Sequence, residues 1–535
     1  MTLADAQTQA IRSMRVRQRR GERTAMWLAA GVIAVASILR VWSLLTPAAQ
    51  IDGDQAVTGL MVDDMLSGRR QYIFIAGQRY NGALEQWVQA AIYRGLRLPR
   101  NPFTLRLPEV AWMAVAGWLV FLIGRRVCAS SWRAVVATAL FAVGSYWTLW
   151  KGNHSDGAYP SLLVVALLAL YCALRMADDD RNRLWWSAAL GFFAGMVVWL
   201  GQSGAELLVP AALWVAPIYA RSLRPWLTAL PAAALGAAPT LLWSARHGIF
   251  APLDTGLNTV PSTLAQRFDH LAGPILKEFL GIAGESGRPG WPYWLQSTAV
   301  VAVTIGYVVA VARRRRGIAS VLLLRPDSRS PVDALLVSVP IVAALYVASP
   351  DAWGIIDPHY LFTYTPTLAW CLAAALPGRP APLRAATTIA LTATTIATAL
   401  VMLVNRSSTY LGGSDIDLRA AVSYLQAQGE RDVYADFWTA LPLQYYARTT
   451  LNIAPIGAGR GKFPATTAAV ARATHAVYVS SPRSGRTGKT PDIRAKLLAR
   501  HVHFTEHTLG DVTIYDNLRP AVKPWQVGLG PRPPT

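Results

Sequence analysis

The chain has 535 residues, of which 53% are hydrophobic and only 15% are charged, whereas soluble domains average about 25% charged residues. Lysine and arginine outnumber aspartate and glutamate by 51 to 30, and the formal net charge is +21. This excess is divided into short clusters between apolar segments instead of forming a basic face interleaved with aromatic residues, which excludes nucleic acid as the partner. The composition predicts a membrane protein.

Apolar segments long enough to cross a bilayer recur along most of the chain. A membrane-spanning helix needs about 17–25 such residues, and by that rule we expect about eleven spans. They are residues 26–45, 107–124, 133–150, 158–175, 184–200, 204–220, 226–244, 295–312, 332–348, 359–376 and 385–404. The predicted fold is an α-helical polytopic membrane protein.

The loop charges predict the orientation of these spans. The N-terminal segment, residues 1–24, is rich in arginine, and alternate loops carry further arginines, whereas residues 201–204 and 349–358 carry no lysine or arginine. Basic loops stay in the cytoplasm, so the N-terminus is expected there. An odd number of spans then leaves the C-terminal segment outside. Alanine- and arginine-rich usage with short loops favours a bacterial cytoplasmic (inner) membrane.

Within the predicted membrane domain, residues 25–405, two outer loops are long, residues 47–106 and 245–294. In the first of them, residues 83–96 carry apolar side chains at helical spacing and predict an amphipathic helix. Residues 406–520 predict a small extracytoplasmic α/β domain, because a helical segment near 418–428 alternates with short strand-like segments. Those strands are residues 432–435, 476–480 and 512–515. The tail, residues 521–535, is rich in proline and glycine and is expected to be disordered.

An acidic pair follows the first span directly, in residues 51–56. An extended backbone would place Asp52 and Asp54 on one face, and Gly53 would allow a ligand to approach closely. Carboxylates at a membrane edge are costly unless they are paired or used. They could deprotonate an acceptor hydroxyl or bind a divalent cation. The alternative is a pair of solvated loop acids.

Residues 77–85 add a second polar segment in the same outer loop, with Tyr80 and Glu85 as candidate substrate contacts. Glu85 falls in the first turn of the predicted amphipathic helix. A carboxylate there either stabilises the helix N-terminus or contacts a sugar hydroxyl or a metal.

Two further polar segments are expected on the same outer face. In residues 151–159, Lys151, His154 and Asp156 could bind a phosphate or a metal. In residues 351–360, His359 and Tyr360 could reach a phosphate at the entry of a late span. Each segment is also compatible with an ordinary polar loop. Together they make one membrane face polar, acidic and aromatic.

With these residues in view, the sequence resembles the glycosyltransferase C (GT-C) superfamily, in particular bacterial relatives of protein mannosyltransferases and of aminoarabinose transferases for lipid A. Arg40 stands near the end of the first span, either snorkelling to the interface or facing the site. Gln55 and His359 depart from the family, which has Glu and Arg there. The segments that carry the resemblance are residues 54–57, 65–68, 77–85, 105–108, 124–126 and 357–361.

The resemblance implies transfer of a sugar from a polyprenyl-phosphate-linked donor to an acceptor at the outer face, with inversion. Asp54 is the first candidate for the general base and Asp52 the second. A divalent cation, Mg²⁺ or Mn²⁺, would have Asp52, Asp54, Glu85 and Asp156 as candidate ligands. The acceptor is a glycan, a lipid or a protein, and membrane lipids are the other partners.

Three other functions compete with this one. A transporter or flippase of lipid-linked sugars predicts charges at the bilayer midplane and broken helices in paired halves. A surface-polysaccharide polymerase or ligase would use the outer face without needing an acidic pair after the first span. A receptor or scaffold working through its C-terminal domain would tolerate loss of both Asp52 and Asp54.

Overall fold

The structure is a computed structural model. It describes residues 3–46, 50–248, 261–283, 291–325, 330–349, 358–376, 393, 397, 414–456, 462–482 and 492–532. A helical membrane part is followed by a small α/β domain. The helices are α1 (Leu3–Leu44), α2 (Gly53–Leu66), α3 (Leu84–Leu96), α4 (Pro102–Val127), α5 (Ser131–Ala142), α6 (Tyr146–Lys151), α7 (Tyr159–Asp178), α8 (Arg183–Leu200), α9 (Ala205–Arg221), α10 (Arg224–Gly236), α11 (Ala238–His247), α12 (Leu264–His270), α13 (Leu276–Phe279), α14 (Tyr293–Leu322), α15 (Pro331–Ala348), α16 (Thr365–Ala375), α17 (Asp415–Ala427), α18 (Phe437–Ala447), α19 (Pro464–Arg472) and α20 (Ile493–Leu498).

Seven helices within the described part of the chain are long and apolar enough to cross a membrane. They are Arg20–Leu44 of α1, Pro102–Val127, Tyr159–Asp178, Arg183–Leu200, Gln202–Arg221, Tyr293–Leu322 and Pro331–Ala348. An eighth crossing would combine α10 and α11, which are bent by 66° at their junction. The chain is therefore a multi-pass membrane protein, while the predicted count of eleven spans is not confirmed.

Two predicted spans are wrong in detail, and one lies outside the described residues. Residues 133–150 are not a single helix, because the chain turns at Gly144, where φ is +65°, and Ser145 caps a new short helix, α6. Glycine adopts such a φ without the strain of a Cβ atom. Residues 359–376 begin with a 3₁₀ segment, His359–Tyr364, before the 11-residue α16. Residues 385–404 lie almost wholly outside the described residues.

The helix pair α8 and α10 packs backbone against backbone. A Cβ atom added to Gly191 would overlap the Ala229 carbonyl, and one added to Gly195 would overlap that of Ala233. In α10, a Cβ atom added to Gly236 would likewise overlap the Phe192 carbonyl of α8. Small residues permit this close approach of helices in lipid, where the hydrophobic effect does not drive their association.

The C-terminal domain is a five-stranded sheet with helices. The strands are β1 (Asp432–Ala435), β2 (Asn452–Pro455), β3 (Val477–Ser480), β4 (His503–Leu509) and β5 (Val512–Arg519). Their order is β2-β1-β3-β5-β4, with β1 parallel to β2 and β3, and β5 antiparallel to β3 and β4. The small α/β domain predicted from the sequence is present, and β2 and β4 complete it.

The tail that was predicted to be disordered contacts the C-terminal domain in residues 521–532. The Tyr478 hydroxyl donates to the Val522 carbonyl at 2.9 Å, and Val527 is buried against the sheet. A short 3₁₀ segment, Pro524–Gln526, lies between these two contacts. Proline and glycine shape this segment, but its buried apolar side chain attaches it to the domain.

Candidate active site

The acidic pair lies at the start of α2. Asp52 is the N-cap, and its Oδ1 accepts from the Gln55 backbone N–H at 2.9 Å. The predicted extended conformation is therefore wrong beyond Asp52, since the helix begins at Gly53. Asp52 is buried, whereas Asp54, in the first turn, is half-buried. The positive end of the helix dipole stabilises both carboxylates.

Arg106 of α4 is a site residue that was not among the predicted ones. Its Nε donates to the Gln55 Oε1 at 2.5 Å, its Nη2 donates to the Gln50 carbonyl at 2.7 Å, and Asp52 attracts it electrostatically. The guanidinium is buried. It thus holds the segment that leads into the acidic pair. An arginine at the start of a predicted span was the available signal, because ionisable groups at membrane depth mark functional sites.

Lys151 and Asp156 form a buried ion pair, with 2.8 Å between Nζ and Oδ2. Burial raises the pKa of Asp156 to about 6, which Lys151 opposes and the charges of Asp52 and Asp54 reinforce. The turn predicted from residues 151–159 is therefore coupled electrostatically to the acidic pair.

His154 belongs to the same turn but does not act as a cation. Its Nδ1–H donates to the Trp150 carbonyl at 2.6 Å, and its ring lies 4.0 Å from the Trp150 ring, centroid to centroid. Burial lowers the pKa of His154 to about 3, and the positive charge of Arg106 adds to this effect. The imidazole is therefore neutral near pH 7, which removes the charge that electrostatic binding of a phosphate would need.

Helix α3 confirms the predicted amphipathic helix, but its polar side faces the protein. Glu85, Gln86 and Gln89 are buried, while Trp87 on the apolar side is 47% exposed. The Glu85 carboxylate accepts from the Ser161 backbone N–H at 2.9 Å, so it stabilises the first turn of α7. Burial raises the pKa of Glu85 to about 8.

Aromatic side chains connect the remaining predicted residues. The Lys151 Nζ lies 4.4 Å from the Tyr159 ring centroid, and that ring lies 5.8 Å from the His359 ring. The His359 and Tyr360 rings are 4.4 Å apart. Tyr80, Tyr159 and Tyr360 also line one cavity of about 270 Å³. The structure therefore brings three of the four predicted segments together around Lys151.

Arg40 does not snorkel to the interface. Its guanidinium is buried and donates to the Ala142 carbonyl at 3.3 Å, to the Leu149 carbonyl at 3.1 Å and to the Asn153 Oδ1 at 3.2 Å. These acceptors belong to α5, α6 and the turn that follows α6. Arg40 therefore holds the chain that carries Lys151 and Asp156.

The C-terminal domain docks on the acid-bearing helix. The Ile51 N–H donates to the Asp415 Oδ2 at 3.1 Å, and the Tyr446 hydroxyl donates to the same oxygen at 2.8 Å. A Cβ atom added to Gly59 of α2 would overlap the Tyr445 ring. These contacts join α2 to α17 and α18.

The sequence matches no family model and no curated protein, but the structure has relatives. ArnT from Cupriavidus metallidurans bound to undecaprenyl phosphate aligns with a TM-score of 0.56 at 12% identity, covering 92% of this chain and 98% of that one. ArnT in the apo state aligns with a TM-score of 0.58, also at 12% identity, covering 94% and 100%. The chain has the GT-C fold. A looser likeness is to the Archaeoglobus fulgidus oligosaccharyltransferase, with a TM-score of 0.46 at 13% identity, covering 92% and 74%.

The GT-C fold accommodates the chain from the membrane helices to the C-terminal domain, as the coverage of both ArnT structures shows. The candidate metal ligands do not form a metal site as they stand. Among the described residues, no three His, Cys, Asp or Glu side chains come together as a set of ligands. Asp52 caps α2, Glu85 caps α7, and Asp156 pairs with Lys151.

Proposed function

We propose that this protein is a membrane glycosyltransferase that moves a sugar from a polyprenyl-phosphate-linked donor to a hydroxyl group of an acceptor. The reaction takes place at the outer face of a bacterial cytoplasmic membrane, with the N-terminus in the cytoplasm and the C-terminal domain outside. One observation carries the proposal: a half-buried carboxylate, Asp54, stands on the first turn of a helix and acts electrostatically on Asp156 of a buried Lys151–Asp156 pair, within a GT-C fold.

Asp54 acts as the general base. Asp52 is committed to capping α2 and is buried, whereas Asp54 does not cap the helix and keeps part of its surface accessible. The acceptor hydroxyl gives its proton to Asp54, and its oxygen attacks the anomeric carbon from the side opposite the phosphate. The bond from that carbon to the phosphate oxygen breaks, so polyprenyl phosphate leaves and the anomeric centre is inverted. A positioned base of this kind contributes about 10²–10⁴-fold to the rate.

Lys151 stabilises the charge that develops on the departing phosphate. Its ammonium lies against Tyr159, whose ring is close to His359. Tyr80 and Tyr360 line the cavity of about 270 Å³ that Tyr159 also lines, and they supply hydroxyl donors for the sugar or the phosphate. Fixed donors aimed at developing charge lower the barrier in a site that excludes water. His154, being neutral, orients this turn.

Two apolar surfaces of the protein near Lys151 accommodate the lipid chain of the donor. An apolar cavity of about 410 Å³ is lined by α5, α13 and α16 and by Thr148, one turn before Lys151 in α6. The second surface is the outward apolar side of α3, where Trp87 is exposed, as in helices that lie at a membrane interface. The cited ArnT structure holds undecaprenyl phosphate, the class of carrier that we propose here.

The test uses the full-length protein in lipid vesicles with a panel of radiolabelled polyprenyl-phosphate sugars, following release of label from the lipid. We expect Asp54→Asn to lower turnover by about 10²–10⁴-fold with an unchanged melting temperature. Asp52→Ala should lower both turnover and melting temperature, because alanine cannot cap α2. Asp511→Asn, which removes an exposed carboxylate in the turn between β4 and β5, is the matched control and should behave as wild type.

Full turnover in Asp54→Asn would contradict the assignment of the base. Label that crosses the bilayer while remaining attached to lipid, with no transfer from any donor, would instead support a transporter of lipid-linked sugars.

A further inference from the structure

A second concave site lies at the end of the helices away from Asp156. The loop between α7 and α8 and the loop between α9 and α10 enclose a cleft of about 660 Å³. Helix α7 starts beside Asp156 and ends at this cleft, so the two sites are separated by the length of a spanning helix. The charged side chains that line the cleft are Arg181, Arg183, Arg221, Arg224 and Asp180.

Three of the four arginines in this cleft are not neutralised by the protein. The fourth, Arg183, pairs with Asp180. Arg181, Arg221 and Arg224 have no acidic partner among the residues that the structure describes, and all three are exposed. A concave surface with three uncompensated guanidinium groups attracts an anion, and guanidinium geometry suits the paired oxygens of a phosphate.

A neighbouring cleft at the same end of the bundle shows that this excess is local. That cleft has a volume of about 850 Å³ and three arginines in its lining. Each of them has an acidic partner: Arg125 with Glu22, Arg126 with Asp178, and Arg175 with Asp179. A generally basic membrane face would leave both clefts positive. The uncompensated positive charge is therefore specific to the cleft between the α7–α8 and α9–α10 loops, which we call the arginine cleft.

Exposed apolar side chains surround the arginine cleft. Trp185 lines it and is 68% exposed, and Trp226 and three leucines project close by. Tryptophan at a helix end is typical of the headgroup level of a membrane. A ligand that matches both the arginines and the exposed apolar side chains has an anionic headgroup and an apolar part. The leucines are Leu184, Leu223 and Leu227, which are 45%, 79% and 73% exposed.

We propose that the arginine cleft binds the phosphate headgroup of an anionic membrane phospholipid, on the face opposite the acidic pair. Basic pockets between membrane helices recognise such headgroups. The acyl chains lie along the exposed tryptophans and leucines, while Arg181, Arg221 and Arg224 hold the phosphate. A soluble phosphate shares the headgroup chemistry but would leave the apolar rim unused. This site does not depend on the glycosyltransferase activity.

Native mass spectrometry of the detergent-solubilised full-length protein, titrated with phosphatidylglycerol, tests the proposal. The variant carries Arg181→Gln, Arg221→Gln and Arg224→Gln. The matched control carries Arg125→Gln, Arg126→Gln and Arg175→Gln, from the neutralised cleft. Each basic residue near an anionic surface contributes about 1 kcal/mol, or about fivefold in affinity. We therefore expect the variant to bind roughly a hundredfold more weakly and the control to bind as wild type.

Equal loss in variant and control, or no preference of the wild type for phosphatidylglycerol over phosphatidylcholine, would overturn the proposal. Displacement of the lipid by millimolar inorganic phosphate would also overturn it, in favour of a soluble ligand. Unchanged melting temperatures exclude misfolding as the cause of lost binding. Replacing the same three arginines with lysine keeps the charge and should restore part of the affinity, because lysine lacks the bidentate fork.

Discussion

Two buried carboxyl groups close to the acidic pair bind protons far more strongly than ordinary carboxyls do. Burial is the main cause in both, raising the pKa of Glu85 to about 8 and that of Asp156 to about 6. A group whose pKa is raised by folding stabilises the folded state below its ordinary pKa. That contribution is lost as the pH rises through the folded value. The lowered pKa of His154 has the opposite effect on stability, and most of that effect falls below pH 6.5. Glu85 therefore dominates the change above pH 6.5 among these three residues.

Glu85→Gln should reduce this pH dependence. We expect the melting temperature of the wild type to fall between pH 6.5 and 8.5, because Glu85 loses its proton in a buried position. Glutamine cannot ionise, so the variant should be less sensitive to the same change of pH. Thermal scans at both pH values measure the difference, and Asp511→Asn, which removes an exposed carboxylate, should follow the wild type. A fall in the variant as large as that of the wild type would show that Glu85 is not the group that titrates.

At the scale of single residues, sequence patterns identified the polar segments better than they identified the hydrogen-bond partners of each side chain. Asp52 followed by Gln55 fits the start of a helix as well as it fits an extended loop. For Glu85 the sequence predicts either stabilisation of its own helix or contact with a sugar hydroxyl or a metal, and it gives no sign of Ser161, 76 positions later, from whose N–H the carboxylate accepts a hydrogen bond. Such partners depend on tertiary packing, which residue spacing does not encode.

At the scale of helices, the close contact between α8 and α10 requires glycine at position 195. The atoms that face Gly195 belong to the backbone of α10, which cannot rotate away as a side chain can.

Gly195→Ala should therefore separate α8 from α10 and lower the stability by about 1–3 kcal/mol, the usual cost of overpacking. Gly306→Ala in α14 is the matched control, since nothing lies within 4 Å of its added Cβ atom. That change should be neutral or stabilising by up to about 1 kcal/mol, because alanine favours a helix. Thermal scans of both variants in the same detergent compare them. Equal melting temperatures would mean that the helices adjust without cost.

Periodicity predicted the helices and strands whose pattern is regular, and missed those whose pattern is weak. Helix α3 and strand β1 agree closely with prediction because each has a sustained apolar pattern and clear ends. Strand β4 was missed because its residues are largely exposed and polar. The division between α5 and α6 was missed because hydropathy is insensitive to the positive φ of Gly144.

Across the whole molecule, the C-terminal domain and the segment that carries the acidic pair form one unit through α2 and α18. Gly59 accommodates the Tyr445 ring, and Asp415 accepts from Ile51 just before the acidic pair. The position of Asp54 thus depends on a domain that is distant along the chain.

Gly59→Ala should weaken this docking and lower sugar transfer while the C-terminal domain itself stays folded. Its added Cβ atom would push against the Tyr445 ring, at a cost of about 1–3 kcal/mol. Gly95→Ala in α3, where nothing lies within 4 Å of the new atom, is the matched control. Limited proteolysis measures release of the domain, and the labelled-donor assay measures transfer. Full transfer together with faster proteolysis would show that docking is not needed for activity.

The contact between Ile51 and Asp415 joins positions 364 residues apart. During synthesis, the loop that carries the acidic pair emerges long before the residues that will cover it. The acid-bearing turn therefore reaches its final arrangement only after the C-terminal domain has been synthesised and has folded, as expected for contacts of large sequence separation. An incomplete nascent chain would hold the acidic pair without its neighbours, so the surroundings of Asp54 are completed last.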